Sequence, residues 1–376
     1  MNHSSTIIRG RTNLREAVLS YTLPEIPAGL YIRDAEEPGM CGEEAARYIT
    51  QFVDLGCHST KIITTSTVSN LIAIKGKTVR SIVNLKQMND IRNINELLAA
   101  VNRRLPQDGL YIGCVETLEE RKERIFDKFS RVISYPYYFF DFMLRRVFPK
   151  LWVTRGIYNV LTRSQDRPIS ITEILGRLRV CGFKIEDYGK AEGLTYFVVR
   201  KIAEPLVETE RKYGMIIPLR RIGKGGEWFN VYKLRTMHPY AEFLQEYLYT
   251  KYSLINGDKI TDDFRVTSWG RFLRKVWLDE QPMWFNWLRG DVKLIGVRPL
   301  SHQKFNLYPP EFRKRRINYK PGLIPPFYVD LPESIDELVE SEKKYLDAYD
   351  KNPWLTDLRY LLTALYNIFI KQVRSE

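Results

Sequence analysis

Between Ile94 and Ile202 the apolar residues switch period three times, and this alternation constrains the fold more than any other feature of the chain. INELLAAVNRRL repeats its apolar positions about every three to four residues, as one face of a helix does. Pro106-Gln107-Asp108-Gly109 then reads as a turn, and LYIGCVE as a buried strand. ISITEILGRLRVCGF restores the helical period, with Ser170 or Thr172 placed to cap its start. KIEDYG and LTYFVVRKI follow as two strands. Helices alternating with strands bury their apolar faces against each other, so the expected class is α/β (α+β).

Upstream, EEAARYITQFVDL (Glu43 to Leu55) has helical spacing, and Lys61 to Val83, rich in Thr, Ile and Val, is expected to hold strands. The helix–turn–strand and helix–strand–turn–strand order resembles the second half of a class I methyltransferase fold in topology. That resemblance implies a Rossmann-like, degenerate methyltransferase-like module over residues 1–205. Its cofactor site would need a glycine-rich loop after the first strand. VDLGCHST (Val53 to Thr60) lacks the second and third glycines, so binding of S-adenosylmethionine is not expected.

Residues 206–220 read as a charged connection, with Gly214 and Pro218 as breakers, and a second domain is expected over 206–376. A chain of 376 residues suits two domains. Its formal net charge of +13 implies anionic partners, either phosphorylated substrates, acidic lipid or nucleic acid; the alternative is a solvated basic surface. No nucleic-acid-binding motif is present, so nucleic acid is not expected. Four scattered cysteines without a CxxC pair do not indicate zinc or disulfide chemistry and suit a cytoplasmic setting. No signal peptide is expected, and no apolar run reaches the roughly 18 residues of a spanning helix. VISYPYYFFDFML (Val132 to Leu144) and YLLTALYNIFI (Tyr360 to Ile370) read either as interfacial helices or as core helices. The basic run Arg313-Lys314-Arg315-Arg316 is placed either on anionic lipid or in solvent, at about 1 kcal/mol per charge near such a surface.

Three motifs in the second half carry chemistry. RIGKGGEWFNVYKLRTM (Arg221 to Met237) makes a glycine turn between strands and supplies Arg221, Lys224, Lys233 and Arg235 for phosphate oxygens. DDFRVTSWGRFLRKVWLDEQPMWFNWLRGD (Asp262 to Asp291) centres on Asp279-Glu280, with Arg271 and Arg274 nearby. Paired carboxylates hold a divalent cation, and one of them can attack phosphorus; a solvated surface pair is the bland alternative. VKLIGVRPL is an apolar strand ending at Gly296, Arg298 and Pro299, which places an arginine within reach of a substrate phosphate.

In this order, RIGKGG, YKLRTM, TSWGRFLR, LDEQP, NWLRGD and GVRP closely resemble the motifs of the bacterial sugar transferase family, the monotopic polyprenyl-phosphate phosphoglycosyl transferases. YKPGL (Tyr319 to Leu323) and LDAYDKNPWLTDLRYLLTAL extend the resemblance, which runs from about 214 to 370. The chain departs from the family pattern at Leu219, usually Gln, and at Trp277, where a small hydroxyl residue is common. Ile324-Pro325-Pro326 replaces the usual Thr-Gly, and no apolar helix precedes the domain.

The resemblance implies an enzyme that moves a sugar 1-phosphate from a nucleotide (UDP) sugar to polyprenyl phosphate, initiating exopolysaccharide, capsule or O-antigen synthesis. Asp279 would be the nucleophile that forms an aspartyl-phosphosugar intermediate. Glu280, with Asp279, would hold Mg²⁺. Arg221, Lys233, Arg235, Arg271, Arg274 and Arg298 would bind phosphate oxygens. The expected location is the cytoplasmic face of the bacterial inner membrane, peripheral or monotopic, on an anionic lipid surface and near polysaccharide-assembly proteins. The alternative is a non-catalytic scaffold or regulator of that assembly.

Overall fold

The structure is a computed structural model that describes residues 41–73, 79–147, 166–206, 211, 213–252, 263–371 and 373. Readings that fall on the N-terminal 40 residues or on Asp262 lie outside the described residues.

Five strands form one mixed sheet in the order β1-β2-β3-β5-β4. They are β1 (Thr60–Ile63), β2 (Ser81–Gln87), β3 (Leu110–Val115), β4 (Phe183–Ala191) and β5 (Leu194–Lys201). β1, β2 and β3 run parallel, while β5 lies antiparallel between β3 and β4. Parallel neighbours need a crossover. Helix Val68–Ala73 supplies the first, which is why the stretch from Lys61 to Val83 is not all strand, and helix Ile94–Arg104 supplies the second. β4 and β5 instead join through Glu192-Gly193, both at positive φ, as a tight two-residue hairpin requires. β5 therefore sits inside the sheet, and its run Thr195 to Val199 is buried throughout.

Helices Ile94–Arg104 and Ile171–Val180 pack on one face through Leu97, Leu98, Ile174 and Leu178. Helix Glu43–Thr50 covers the other through Ala45 and Ile49, completing an α/β layering. Ser170 is the residue that caps Ile171–Val180, accepting from the Glu173 backbone N–H at 3.2 Å. VDLGCHST ends at the first residue of β1, with Val53 to Ser59 ahead of the strand rather than after it. Pro136 lies inside helix Arg131–Phe142 without ending it.

The second half opens on an antiparallel hairpin, β6 (Ile216–Ile222) and β7 (Trp228–Leu234). Gly225 and Gly226, at φ 72° and 80°, make the turn. Pro218, read from sequence as a breaker in a connection, lies within β6 opposite Tyr232. A two-stranded sheet has only edge strands, where the missing N–H of proline leaves no bond unmade. β8 (Lys293–Ile295) pairs in parallel with β9 (Gly322–Ile324). Helices Met283–Leu288, Ile335–Lys351 and Pro353–Phe369 close a second core around Val231, Met283, Ile295, Tyr328 and Leu346.

Part of the second half is buried in the first core. Tyr240 and Leu244 are fully covered there. The Tyr240 hydroxyl accepts from Asn95 Nδ2 at 2.9 Å, and its ring lies 4.5 Å from the Arg177 guanidinium.

Two of the four residues in the basic run at 313–316 are held in ion pairs. Arg316 forms a buried pair with Glu342 at 2.7 Å, and Arg315 reaches Asp347 and Asp350 at 2.6 and 2.8 Å. These carboxylates sit on the following long helix and pair with two of the four basic residues; Arg313 donates to Asn306 and Lys314 is exposed.

Candidate active site

The site is assembled where the end of β7 meets a short capped helix. Thr267 caps helix Ser268–Lys275, accepting from the Gly270 N–H at 2.7 Å. The helix rests on the end of the KLRTM segment, with Thr267 N–H donating to the Thr236 carbonyl at 2.9 Å. A Cβ on Gly270 would stand 2.0 Å from that carbonyl, so only glycine permits the approach. The approach brings Arg274 Nε within 3.1 Å of Thr236 Oγ1.

The chain then turns at Trp277, which takes a left-handed φ of 59°. A non-glycine residue there costs about 1–3 kcal/mol and persists only where its surroundings hold it. The buried indole Nε1–H donates to Glu280 Oε2 at 2.9 Å and to the Tyr328 hydroxyl at 3.0 Å. Its ring meets those of Tyr328 and Phe369 edge-on.

Asp279 and Glu280 follow at once. Leu234 N–H donates to the Asp279 carbonyl at 2.8 Å, which ties the carboxylate pair to β7. Glu280 is buried; Oε1 accepts from Lys233 Nζ at 2.5 Å, and Oε2 also accepts from the Tyr328 hydroxyl at 3.2 Å. The Asp279 carboxylate is half-buried and makes no ion pair with another described residue. Burial raises its pKa and the Glu280 charge raises it further, against the opposing pull of Lys233 and Arg274.

A cavity opens beside the dyad. Its polar walls include Arg221, Lys233, Glu280, Arg298 and Tyr328, over an apolar lining of Val231, Met283 and Leu323. Arg298 follows β8, as the strand-end reading expects. Its N–H donates to Glu342 Oε1 at 3.0 Å, and its carbonyl accepts from Arg316. The buried Arg316–Glu342 pair thus clamps its backbone, while its guanidinium lies over the Phe327 ring. Arg221 is less basic than usual, first through burial and then through Arg298. Lys304 is likewise lowered by desolvation and then by Arg298 and Arg221. Arg221 and Arg298 thus face the cavity as neighbouring like charges, while Lys304 is exposed outside its lining.

The other predicted cations are placed differently. Arg274 sits beside Thr236, near Asp279. Arg235 lies over the Tyr213 ring at 4.7 Å and donates to the Gly214 carbonyl, outside the cavity lining. Arg271 is exposed on helix Ser268–Lys275. Sequence reasoning missed Lys304, Thr236 and Tyr328. Lys304, one helical turn past the GVRPL strand end, had a local signal. Tyr328 had none, because it reaches Glu280 across 48 residues.

Asp279 and Glu280 are the residues that could hold a magnesium ion. Such an ion takes one or two carboxylates and completes its shell with water and substrate phosphates. No three-residue His, Cys or carboxylate cluster occurs among the described residues, but the dyad provides two carboxylates. Glu280 Oε1 already faces a cation, the Lys233 ammonium.

The bacterial sugar transferase family pattern matches residues 194–371, from the first residue of β5 to beyond the last helix. Galactosyl transferase CpsE of Streptococcus agalactiae serotype III is 32% identical over 167 residues, covering 43% of this chain and 36% of that protein. The uncharacterized sugar transferase EpsL of Bacillus subtilis is 31% identical over 155 residues, covering 40% of this chain and 68% of that protein. The undecaprenyl-phosphate galactose phosphotransferase of Salmonella typhimurium is 34% identical over 94 residues, 24% of this chain and 20% of its own length. The alignments therefore span about a third of CpsE, two thirds of EpsL and a fifth of the Salmonella protein. With the motifs in order and most of one relative covered, this chain belongs to the bacterial sugar transferase family.

Proposed function

We propose that this chain transfers a sugar 1-phosphate from a UDP-sugar to polyprenyl phosphate and so begins a surface polysaccharide: exopolysaccharide, capsule or O-antigen. The observation that carries the reading is the Asp279-Glu280 pair set beside a cavity walled by Arg221, Lys233 and Arg298. In the first step an Asp279 carboxylate oxygen bonds to the phosphorus bearing the sugar. The bridging P–O bond breaks, and UMP leaves with that oxygen and its electron pair. In the second step an oxygen of polyprenyl phosphate attacks the same phosphorus. The acyl-phosphate bond breaks and Asp279 regains its carboxylate.

Both steps bring anions together, so the cations decide the rate. Arg221, Arg298 and Lys233 offset the charge of the diphosphate and of the phosphoryl oxygens. Arg274, Arg235 and Arg271 are the outer candidates for phosphate contact. Glu280, with Asp279, would hold Mg²⁺, which when bound neutralises diphosphate charge. The relatives' names support polyprenyl phosphate and sugar as the substrate kinds. Product analysis with a panel of UDP-sugars and polyprenyl phosphate tests the reading. UMP and a sugar diphospho-lipid are expected; a purified, folded protein that yields neither with any donor favours the scaffold reading.

Peripheral attachment to the cytoplasmic face of the inner membrane belongs to the same proposal. Trp354, Leu358, Leu362, Tyr366 and Phe369 make one exposed stripe along helix Pro353–Phe369. Trp284, Phe285, Trp287 and Leu288 are exposed on Met283–Leu288, and Val132, Tyr135, Phe139 and Phe140 on Arg131–Phe142. Such aromatics settle at headgroup level. No helix among the described residues is long and apolar enough to cross a membrane. High salt or alkaline carbonate is expected to release much of the protein from membranes. Release by detergent alone would point to an inserted segment, and solubility without any wash to attachment through an assembly partner.

A further inference from the structure

Trp277 and Tyr328 touch the dyad yet have no part in the reaction as written above. They come from separate elements. Trp277 ends helix Ser268–Lys275, whereas Tyr328 rides on the short turn Phe327–Asp330. Pro325 and Pro326, the end of the Ile324-Pro325-Pro326 segment that replaces the usual Thr-Gly, open that turn. Tyr328 N–H donates to the Pro325 carbonyl at 3.1 Å and Val329 N–H to the Pro326 carbonyl at 2.8 Å. Helix Pro353–Phe369 pins the turn from behind, with Asn367 Nδ2 donating to the Tyr328 carbonyl at 2.8 Å. Tyr328 has no exposed surface and Trp277 retains 6%. Trp277, where the sequence leaves the family pattern, and Tyr328, two residues past the replaced segment, therefore converge on one carboxylate oxygen.

We propose that Trp277 and Tyr328 are positioning residues that fix Glu280 by Oε2, so that Oε1 is the oxygen offered to a cation. Three observations agree on this. Both donors reach Oε2, at 2.9 and 3.2 Å, while the ammonium of Lys233 reaches Oε1. The two donors also bond to each other, at 3.0 Å, so the carboxylate meets a closed triangle rather than two independent contacts. The left-handed backbone at Trp277 is what aims the indole at Glu280, three residues on. A carboxylate held by one edge cannot rotate to chelate a cation with both oxygens, and it leaves the other edge for a single bond. An indole at 277 calls for a hydroxyl partner at 328, and the two prolines present that hydroxyl.

The catalytic consequence of this inference rests on the transferase reading. The test uses the full-length protein with ¹⁵N-labelled tryptophan. The indole Nε1–H resonance of Trp277, assigned by its loss in Trp277→Phe, is expected downfield and slow to exchange with solvent. It should move upfield in Glu280→Gln and shift in Tyr328→Phe. In parallel, Tyr328→Phe and Trp277→Phe are each expected to lower kcat by roughly ten- to a hundredfold, as loss of an outer partner of a cation-binding group does. The KM for the nucleotide sugar should stay nearly unchanged, which a general loss of packing would not predict. If Trp277→Phe does not fold, Tyr328→Phe loses only a hydroxyl and keeps the kcat readout, and the Trp277 resonance is assigned instead by triple-resonance backbone connectivity. An indole resonance that ignores both Glu280→Gln and Tyr328→Phe overturns the proposal, as does wild-type kcat in a folded Tyr328→Phe protein. A wild-type protein that releases no UMP removes the transferase reading, while the indole resonance still decides whether Glu280 is held this way.

Discussion

Asp279→Asn is expected to abolish turnover, by roughly 10⁴-fold or more, as removal of a covalent nucleophile does. An amide oxygen does not attack phosphorus to leave a stable acyl phosphate. The fold should survive, because the bond that ties this residue to β7 uses the Asp279 backbone carbonyl and not its side chain. Stability near neutral pH should stay level or rise slightly. Burial and Glu280 both disfavour the Asp279 carboxylate, and a neutral amide relieves that cost. The wild type should show the same physics in its pH profile. On the proposed mechanism activity requires ionised Asp279, and the folded protein raises its pKa. The acid limb of kcat/KM should therefore lie above the usual carboxylate range, with activity lost as pH falls through it. Near-wild-type turnover in a purified, folded Asp279→Asn sample would rule out the covalent route.

Removing divalent cations is expected to have the second largest effect. EDTA should stop release of UMP, and added Mg²⁺ should restore it. The reason lies in Glu280, whose Oε1 now faces the Lys233 ammonium at 2.5 Å. A metal ion at that oxygen must compete with Lys233, so the requirement should appear as a concentration threshold rather than as a permanently bound ion. With a cation bound there, Lys233 would be left to a substrate phosphate as a compact point charge. Undiminished release in EDTA would show that the carboxylate pair holds no required cation.

Most of the regular elements were legible because their signals are local. Ile94–Arg104, β3, Ile171–Val180, β4 and β5 all lie where hydrophobic period and turn residues place them. The glycine turn at 223–226 and the strand end before Arg298 were legible for the same reason. One reading failed and another was narrowed where a local signal met a non-local partner. Pro218 breaks a strand only if its edge must be paired, and in this hairpin it need not be. The basic run at 313–316 reads as a surface until Glu342, Asp347 and Asp350 arrive from the next long helix.

The same division runs through the site. Sequence alone determined the α/β layering, the order of the motifs, the dyad at 279 and 280, and the arginine at the end of β8. These depend on neighbours in the chain or on residue types that the chemistry requires in sequence. Only the tertiary structure decided which cations share a cavity. It gathers Arg221, Lys233 and Arg298 with Glu280 and leaves Arg235 against Tyr213. It also decided that Tyr240 is buried in the first core and that Trp277 and Tyr328 close on one oxygen of Glu280. Such contacts join residues dozens of positions apart. Their free energy arises only once packing has desolvated both partners and fixed their distance, and a linear pattern carries no record of that.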